Sequence, residues 1–191
     1  MFATLTTKFN EQSKKTIGEI RMILNVDIHI RAMTSNDFYL MVKWLNNQKV
    51  LEFYEEPPSK LDEVIHKYDP RIKGEHYVTP CIVEYKSEPI GYMQYYKIQE
   101  IDLEKYDLPK NQNIYGVDQF IGEPQLWGKG IGSMMIQMML EYLWNDKDAL
   151  KVVLDVKKNN KRAISSYKKC GFTQNKELNH DSLLMEWTKE T

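Results

Sequence analysis

The feature that most constrains the fold is a glycine-rich stretch, Gln125-Leu-Trp-Gly-Lys-Gly-Ile-Gly132, between a predicted strand over residues 114–121 and a predicted helix over residues 128–144. Glycine lets the backbone adopt positive φ and approach a ligand closely. The free N–H groups at the start of a helix, together with the helix dipole, attract anions. A strand, a glycine turn and a helix in this order predict a sheet whose turn either binds phosphate groups or only reverses the chain tightly.

The spacing of the glycines argues against the two best-known nucleotide-binding loops. A Walker A loop has the pattern GxxxxGK[ST], but Gly122 lies one residue too far from Gly128, and Gly130 stands where a hydroxyl would hold magnesium. A Rossmann fingerprint has the pattern GxGxxG, whereas Gly128, Gly130 and Gly132 are spaced GxGxG. If the turn binds a phosphate compound, the binding motif is of another kind.

Hydrophobic periodicity predicts the elements around this turn, because strands repeat every two residues and helices every 3.6. Predicted strands cover residues 27–31, 77–85, 90–98, 114–121, 152–156 and 183–187. One predicted helix carries Leu40, Met41, Trp44 and Leu45 on one face. Further helices are predicted over residues 49–54, 60–68, 128–144 and 160–169, and a polar loop is predicted over residues 100–113. Strands and helices alternate only in the second half of the chain. We therefore expect an α/β or α+β fold with a mixed central β-sheet flanked by helices.

Length and charge limit the classes of protein to consider. The chain has 191 residues, which favours one domain. We expect an N-terminal extension over residues 1–22 and a single domain over residues 23–191. The formal net charge is −1, with 26 basic and 27 acidic residues. A globally basic nucleic-acid-binding protein is therefore not expected, and no nucleic-acid partner is predicted.

The cysteines, the histidines and the apolar residues bear on the cellular compartment, on metal binding and on membrane insertion, respectively. The two cysteines, Cys81 and Cys170, are too few for a disulfide scaffold, so both are expected to be reduced and buried, which suits the cytoplasm. The four histidines are scattered without the spacing of a metal site, and no metal is expected. No run of eighteen apolar residues occurs, so no membrane-spanning helix is predicted.

Two motifs in order resemble a known superfamily. Gln125-x-x-Gly128-x-Gly130 matches the [QR]xxGx[GA] pyrophosphate loop of the GNAT superfamily of acetyl-CoA-dependent N-acetyltransferases. About thirty residues on, the run from Asn160 through Ala163 and Tyr167 to Cys170-Gly-Phe172 is similar to the second signature of that superfamily. The resemblance spans about residues 27–187. It implies a GNAT acetyltransferase fold with acetyl-CoA as co-substrate and no metal.

A longer stretch narrows the resemblance. The segment from Tyr115 to Pro124, with Trp44-Leu-Asn46 and Glu88-Pro-Ile-Gly-Tyr92, is similar to aminoglycoside 6′-N-acetyltransferases, especially the acetyltransferase half of bifunctional aminoglycoside-modifying enzymes. The resemblance implies acetyl transfer to the 6′-amine of an aminoglycoside antibiotic, and a monomer or weak homodimer. Two alternatives stay open: a GNAT enzyme acting on protein or peptide amines, and a non-catalytic acyl-CoA-binding domain.

The resemblance also implies roles for individual residues. Asp118 is expected to be the general base, and Tyr167 is expected to lie beside the thioester sulfur as a hydrogen-bond donor or acid. The expected co-substrate contacts are Phe120, Ile121, Gln125, Gly128, Lys129, Gly130, Ile131, Gly132, Asn160 and Tyr167. The expected contacts with the aminoglycoside are Tyr54, Tyr68, Glu75, Asp102, Asp118, Asp155 and Asp181.

The distribution of charge agrees with a cationic acceptor and an anionic co-substrate. Residues 51–63 hold five acidic residues and one lysine, and residues 99–107 hold four acidic residues and one lysine. Residues 156–170 hold six basic residues and no acid. A carboxylate-lined cleft would concentrate a polyamine substrate. Solvated surface loops and a solvated helix face have the same composition, and this alternative also stays open.

Overall fold

The computed structural model describes residues 23–24, 27–54 and 57–188, with only the backbone described at 23–24. The predicted N-terminal extension over residues 1–22 lies outside the described residues, as do Glu55 and Glu56 of the first acidic segment. Within the described ranges, no helix is long and apolar enough to cross a membrane.

The described strands form one mixed sheet. Their bounds are β1 Ile23–Leu24, β2 Ile28–Ala32, β3 Val78–Tyr85, β4 Glu88–Lys97, β5 Ile114–Ile121, β6 Lys151–Lys157, β7 Thr173–Glu177 and β8 Ser182–Thr188. The order across the sheet is β1-β2-β3-β4-β5-β6-β8-β7. Every neighbouring pair is antiparallel except β5 and β6, which are parallel. A parallel pair needs a long crossover connection, and here a helix supplies it.

Helices cover both faces of the sheet. Their bounds are α1 Phe38–Trp44, α2 Gln48–Leu51, α3 Leu61–Ile72, α4 Glu100–Tyr106, α5 Ile131–Lys147 and α6 Lys161–Lys169. Apolar side chains of α5 and α6 pack with Val117 of β5 and Leu154 of β6 on one face. On the opposite face, α1 and α3 pack with Phe120 of β5, and α4 packs with Val153 of β6. The predicted mixed sheet flanked by helices is confirmed.

Besides the two-residue strand β1, which was not predicted, three elements differ from the sequence-based expectation. The predicted loop at 100–113 begins with α4, a short helix that buries Leu103 while most of its other side chains face solvent. Strand β7 has a polar sequence without alternation because it is an edge strand, exposed along most of its length. Helix α3 continues to Ile72 although Pro70 lies inside it, in its last turn, where only one intrahelical N–H bond is lost.

The sheet opens between β5 and β6. Their pairing covers only residues 114–116 and 151–153, although β5 continues along β4 to Ile121 and β6 continues along β8 to Lys157. Beyond Gly116 and Val153 the two strands therefore separate. The separation leaves a slot through the sheet that connects its two faces.

Candidate active site

The slot between β5 and β6 is part of a cleft of about 510 Å³. The ends of β5 and β6, the turn before α5 and one side of α6 line this cleft, together with Phe53 and Tyr54 of the loop after α2. Among the predicted site residues, the cleft is lined by Tyr54, Asp118, Phe120, Ile121, Gly128, Gly130, Gly132, Asp155, Asn160 and Tyr167. The structure therefore brings the two halves of the predicted site together.

The glycine turn forms the edge of the cleft on the α5 and α6 face. Gly128 and Gly130 have φ of 76° and 82°, in the left-handed region that favours glycine. A Cβ atom at either position would meet no heavy atom within 4 Å, so the space beside the backbone is open. Gly130 is also the N-cap of α5, a helix of 17 residues. Open space beside backbone N–H groups at a helix start fits a pyrophosphate group.

Three predicted co-substrate residues direct their side chains elsewhere. The Gln125 amide donates to Glu123 Oε2 at 3.1 Å, outside the cleft. Lys129 is exposed and does not line the cleft, and Ile131 is 2% exposed in the core beneath α5. Asn160 lines the cleft, and its side chain accepts from the N–H of Ala163 at 3.1 Å, which caps α6. In this structure, the side chains of Gln125, Lys129 and Ile131 hold or cover the turn rather than line the cleft.

The register of β5 determines which backbone N–H groups face the slot. Gly122 donates to Ile90 at one end of the β4–β5 pair, and Ile98 donates to Ile114 at the other. Because hydrogen-bonded positions alternate in an antiparallel pair, the N–H of Phe120 points at β4. The N–H groups of Gln119 and Ile121 point at the slot. Of Phe120 and Ile121, the two residues of β5 predicted to contact the co-substrate, only Ile121 directs its N–H group at the slot.

Tyr167 lies on the α6 side of the slot. It is 8% exposed and lines the cleft. Burial raises the pKa of its hydroxyl above the ordinary value, and the negative charges of Asp118 and Asp155 raise it further, although the side chain of Gln119 acts in the opposite direction. The phenol is therefore protonated at neutral pH. A protonated phenol at this place can donate a proton or a hydrogen bond.

Asp118 faces the cleft from the opposite side of the slot. Burial raises the pKa of its carboxyl to about 6, a hydrogen bond from Gln94 lowers the pKa, and the nearby charge of Asp155 raises it. The Gln94 Nε2 group donates to Asp118 Oδ2 at 2.5 Å. A carboxylate that is ionised at neutral pH, yet has a pKa near 6, is suited to accept a proton.

Further acidic and aromatic groups surround Asp118. Burial raises the pKa of the Tyr96 hydroxyl, and the negative charges of Asp118, Asp155 and Asp102 raise it further. Asp155 is exposed at the cleft, and Asp102 is half-buried in the first turn of α4. On the same face, the ring of Tyr54 packs edge-on against Phe120, with ring centroids 4.7 Å apart. This face of the slot is negatively charged and has an aromatic wall.

Besides Asp102 in α4, three predicted substrate residues do not line the cleft. Tyr68 is 0% exposed, and its ring packs edge-on against Tyr92 in the core under α3. Glu75 is exposed in the loop between α3 and β3. Asp181 is exposed at the turn before β8, with its carboxylate 2.9 Å from His180 Nε2, although the next residue, Ser182, lines the cleft. The positions of these three side chains do not favour direct contact with a bound substrate.

Several residues that line the cleft were not assigned individually from the sequence. The Arg162 guanidinium lies 4.1 Å from the ring centroid of Trp127 and 5.7 Å from that of Phe53, so it joins α6 to the loop over the cleft. Of the six basic residues in the segment 156–170, the cleft is lined by Lys157, Arg162 and Lys169. Gln94 gave no local signal, because its role depends on its position opposite Asp118 in the neighbouring strand.

The arrangement can join two different substrates through the sheet. The α5 and α6 face offers a helix start, open glycine backbone and cations, which suit a long anionic molecule. The opposite face offers carboxylates and aromatic rings, which suit a cationic molecule with sugar rings. The part of the chain that the structure describes has no cluster of three or more His, Cys, Asp or Glu side chains that could hold a metal ion.

Comparisons with known proteins show which family this chain is similar to. The family model described as an acetyltransferase (GNAT) domain matches residues 33–180. Aminoglycoside N(6')-acetyltransferase type 1 of Klebsiella pneumoniae is 30% identical over 165 residues, which are 84% of this chain and 82% of that protein. The protein of the same name from Serratia marcescens is 31% identical over 150 residues, covering 78% of this chain and 75% of that protein.

A solved structure agrees in fold. The crystal structure of aminoglycoside acetyltransferase AAC(6')-Ib in complex with coenzyme A and kanamycin superposes with a TM-score of 0.71 and 27% identity. The superposition covers 85% of this chain and 95% of that one. The resemblance predicted from the two sequence motifs is confirmed, and the chain belongs to the GNAT family of acetyltransferases.

Proposed function

We propose that this protein transfers the acetyl group of acetyl-CoA to the 6′-amine of aminoglycoside antibiotics and so confers resistance to them. The observation that carries the proposal is the slot between β5 and β6, which joins an anion-binding glycine turn to an acidic and aromatic face through Asp118. The curated relatives are named for this activity, and a related structure holds coenzyme A and kanamycin.

In the proposed complex, the pyrophosphate of acetyl-CoA lies against the N–H groups of the turn at Gly128, Gly130 and Gly132. Arg162 and Lys169 of α6 line the cleft and provide positive charge for the phosphates, whereas Lys157 Nζ donates to the carbonyl oxygen of Glu52 at 3.0 Å. The rest of the co-substrate runs along the slot beside β5, so that its thioester lies near Ile121, Gln119 and Tyr167. The open space at the glycines, and the residues of β5 and α6 that line the same cleft, support this placement.

In the proposed complex, the aminoglycoside lies on the opposite face. Tyr54 and Phe120 pack against a sugar ring, and Asp102 and Asp155 attract its ammonium groups. The 6′-amine reaches into the slot beside Asp118. The exposed carboxylate of Asp155 and the acidic surroundings of Tyr96 support this orientation.

The proposed reaction is a direct attack. The carboxylate of Asp118 takes a proton from the 6′-ammonium group, directly or through water, and the amine nitrogen forms a bond with the thioester carbonyl carbon. The N–H of Ile121 stabilises the negative charge on the carbonyl oxygen. The carbon–sulfur bond then breaks, and the thiolate receives a proton from the hydroxyl of Tyr167. The nitrogen gives up its second proton as the amide forms, and this proton restores the Tyr167 hydroxyl through water. Holding the amine and the thioester together in one cleft lowers the activation barrier by ~7–11 kcal/mol.

Compartment and assembly follow from the proposed activity. Acetyl-CoA is a metabolite of the cell interior, and both cysteines of the chain are buried free thiols, so we place the protein in the cytoplasm. Both substrates reach the cleft of a single chain, so catalysis is expected from a monomer or a weak homodimer. The proposed reaction requires no metal ion.

The proposed function is tested with a thiol-release assay on a panel of amines. The panel contains aminoglycosides with a 6′-amine, an aminoglycoside with a 6′-hydroxyl, a linear polyamine and peptide amines. We expect turnover only with the 6′-amine compounds. Turnover on peptide amines instead would favour the protein-acetylating alternative, and coenzyme A binding without any turnover would favour the non-catalytic one.

A further inference from the structure

We propose that Gln94 is a positioning residue, held by Arg71 and Tyr92 so that its amide N–H fixes the carboxylate of Asp118 at the slot. This inference rests on the proposed function, because it assigns the groups that support the proposed base. Arg71 belongs to the last turn of α3, whereas Gln94 and Tyr92 belong to β4, so the arrangement connects a helix to the catalytic strand β5 through the strand beside it.

Three hydrogen bonds define the arrangement. Arg71 Nη1 donates to Gln94 Oε1 at 2.8 Å, and the hydroxyl of Tyr92 donates to the same oxygen at 2.6 Å. Gln94 Nε2 donates to Asp118 Oδ2 at 2.5 Å. Gln94 is 8% exposed and lies directly opposite Asp118 in the register of β4 and β5. A buried amide with all these partners has little freedom to turn.

Arg71 decides which way the amide faces. Because a guanidinium can only donate, the atom of Gln94 beside Arg71 must be the oxygen, so the nitrogen faces Asp118 and the Tyr92 hydroxyl donates to the same oxygen. A flipped amide would place its N–H group against the guanidinium and its oxygen against a carboxylate. Gln94 therefore gives Asp118 a hydrogen bond that favours the ionised form of the carboxyl.

Arg71 has few other partners in the described part of the chain. Within those residues its guanidinium forms no ion pair with a carboxylate, and its Nε group has no hydrogen-bond partner. The guanidinium lies 5.3 Å from the ring centroid of Tyr68, in partly buried surroundings. Its charge is thus directed at Gln94 and, through Gln94, at Asp118. Arg71 does not line the cleft, so it does not meet a cationic substrate directly.

The groups around Asp118 come from every element packed against it. Gln94 and Tyr96 of β4 provide hydrogen bonds that lower the pKa of Asp118, and the charge of Arg71 in α3 also lowers it. Asp155 of β6 raises this pKa, and Tyr167 of α6 lies near enough for the charge of Asp118 to act on its hydroxyl. Burial has the largest effect and raises the pKa of Asp118 to about 6. Without the hydrogen bond from Gln94, the pKa of the Asp118 carboxyl would be higher, so the carboxyl would stay protonated up to a higher pH.

The test is the pH profile of the Gln94→Met variant, which keeps the length of the side chain and removes both polar atoms. A hydrogen bond to a charged group is lost, so we expect the acid limb of kcat to move upward by about 1–2 pH units. At pH 6.5 the variant is then about tenfold slower than wild type, and at pH 9 it returns to within about threefold. The affinity for acetyl-CoA is expected to be unchanged.

Two further variants separate charge from orientation. Arg71→Met removes the cation but leaves Tyr92 on the amide oxygen, so the limb is expected to move in the same direction by less than in Gln94→Met. Tyr92→Phe leaves Arg71 on that oxygen, and its limb is expected to stay within about 0.3 pH units of wild type. In an Asp118→Asn background, Gln94→Met is expected to change the residual rate by less than about twofold.

A measurement without turnover keeps this inference separate from the proposed function. Carbon-13 NMR of the Asp118 carboxyl, assigned with Asp118→Asn, gives its pKa directly in wild type and in Gln94→Met. A higher pKa in the variant supports the inference even if no aminoglycoside is acetylated. An unchanged pKa, or a loss of kcat that is uniform across pH, would overturn it.

Discussion

The two walls of the cleft recognise their ligands by different means. The co-substrate wall consists of the glycine turn over residues 128–132 and one side of α6, and the turn offers backbone N–H groups and open space. The acceptor wall gathers side chains from separated parts of the chain, among them Tyr54, Gln94, Asp118 and Asp155. The first wall depends on backbone conformation and the second on side-chain chemistry. Substitutions should therefore divide into two groups, and the following predictions test that division.

The largest effect is expected at the acceptor wall from Asp118→Asn, which keeps the shape of the side chain and removes its charge. If Asp118 is the base, kcat at neutral pH falls by about 10²–10⁴-fold. In wild type, activity is expected to disappear as the pH falls through about 6, because the carboxyl is then protonated. Steady-state kinetics from pH 5 to 9 give both results.

The affinity of Asp118→Asn for acetyl-CoA is the matched control, and calorimetry should find it unchanged. A kcat equal to that of wild type at neutral pH would rule out the role as base. A higher KM with kcat preserved would instead mean that Asp118 only attracts the ammonium group.

The second effect is expected at the co-substrate wall from Gly130→Val. A β-branched residue at a φ of 82° costs ~1–2 kcal/mol, and its side chain would occupy the open space beside the turn. We expect the Kd of acetyl-CoA to rise by about tenfold or more, as measured by calorimetry. The KM for the aminoglycoside should change little.

Gly74→Val is the matched control for that substitution. Gly74 has a φ of 73°, and a Cβ atom there would meet no heavy atom within 4 Å, but it lies in the loop after α3, away from the cleft. The variant should lose stability to a similar degree without losing affinity for acetyl-CoA. Equal loss of affinity in both variants would show that backbone strain alone, and not the place of Gly130, matters.

A smaller effect is expected from Tyr54→Ala. The ring packs against Phe120 and would contact a sugar in the ground state and the transition state alike. Its loss should raise the KM for the aminoglycoside by about three- to tenfold and change kcat less. Tyr54→Phe keeps the ring and should remain close to wild type. A KM that Tyr54→Ala leaves unaltered for every accepted drug would place Tyr54 outside the binding site.

The smallest effect is expected from Tyr68→Phe. The ring is buried between α3 and the sheet, so removal of its hydroxyl should leave the KM for every accepted aminoglycoside within about twofold of wild type. Steady-state kinetics on the same panel measure this directly. A KM raised as much as in Tyr54→Ala would show that Tyr68 reaches the substrate after all and that the acceptor wall extends under α3.

The sequence predicted the co-substrate wall better than the acceptor wall, for a physical reason. Glycine at positions such as 128 and 130 indicates a backbone with positive φ, and this signal is visible in the sequence itself. Tyr68 was expected at the cleft, but Val64 and Tyr68 lie four residues apart on the buried face of α3, and that spacing places both in the core. Periodicity alone would have shown this orientation.

Other features depended on the tertiary structure. Gln94 acquires its role from the register of β4 with β5, which no short segment contains. The separation of β5 from β6 after Gly116 likewise depends on where a ladder stops. Gln125 matches the motif, but its side chain is held by Glu123, so the motif identified the turn and not the direction of each side chain.

The early end of the β5–β6 ladder has a consequence for amide hydrogen exchange. Along β5, the N–H groups of Asp118 and Phe120 are held by β4 and belong to the slowly exchanging sheet, whereas those of Gln119 and Ile121 face the slot. Fast and slow amides therefore alternate along a single strand. Coenzyme A bound in the slot would slow exchange at the odd-numbered positions and leave the even-numbered ones unchanged, so this strand records occupancy of the slot residue by residue.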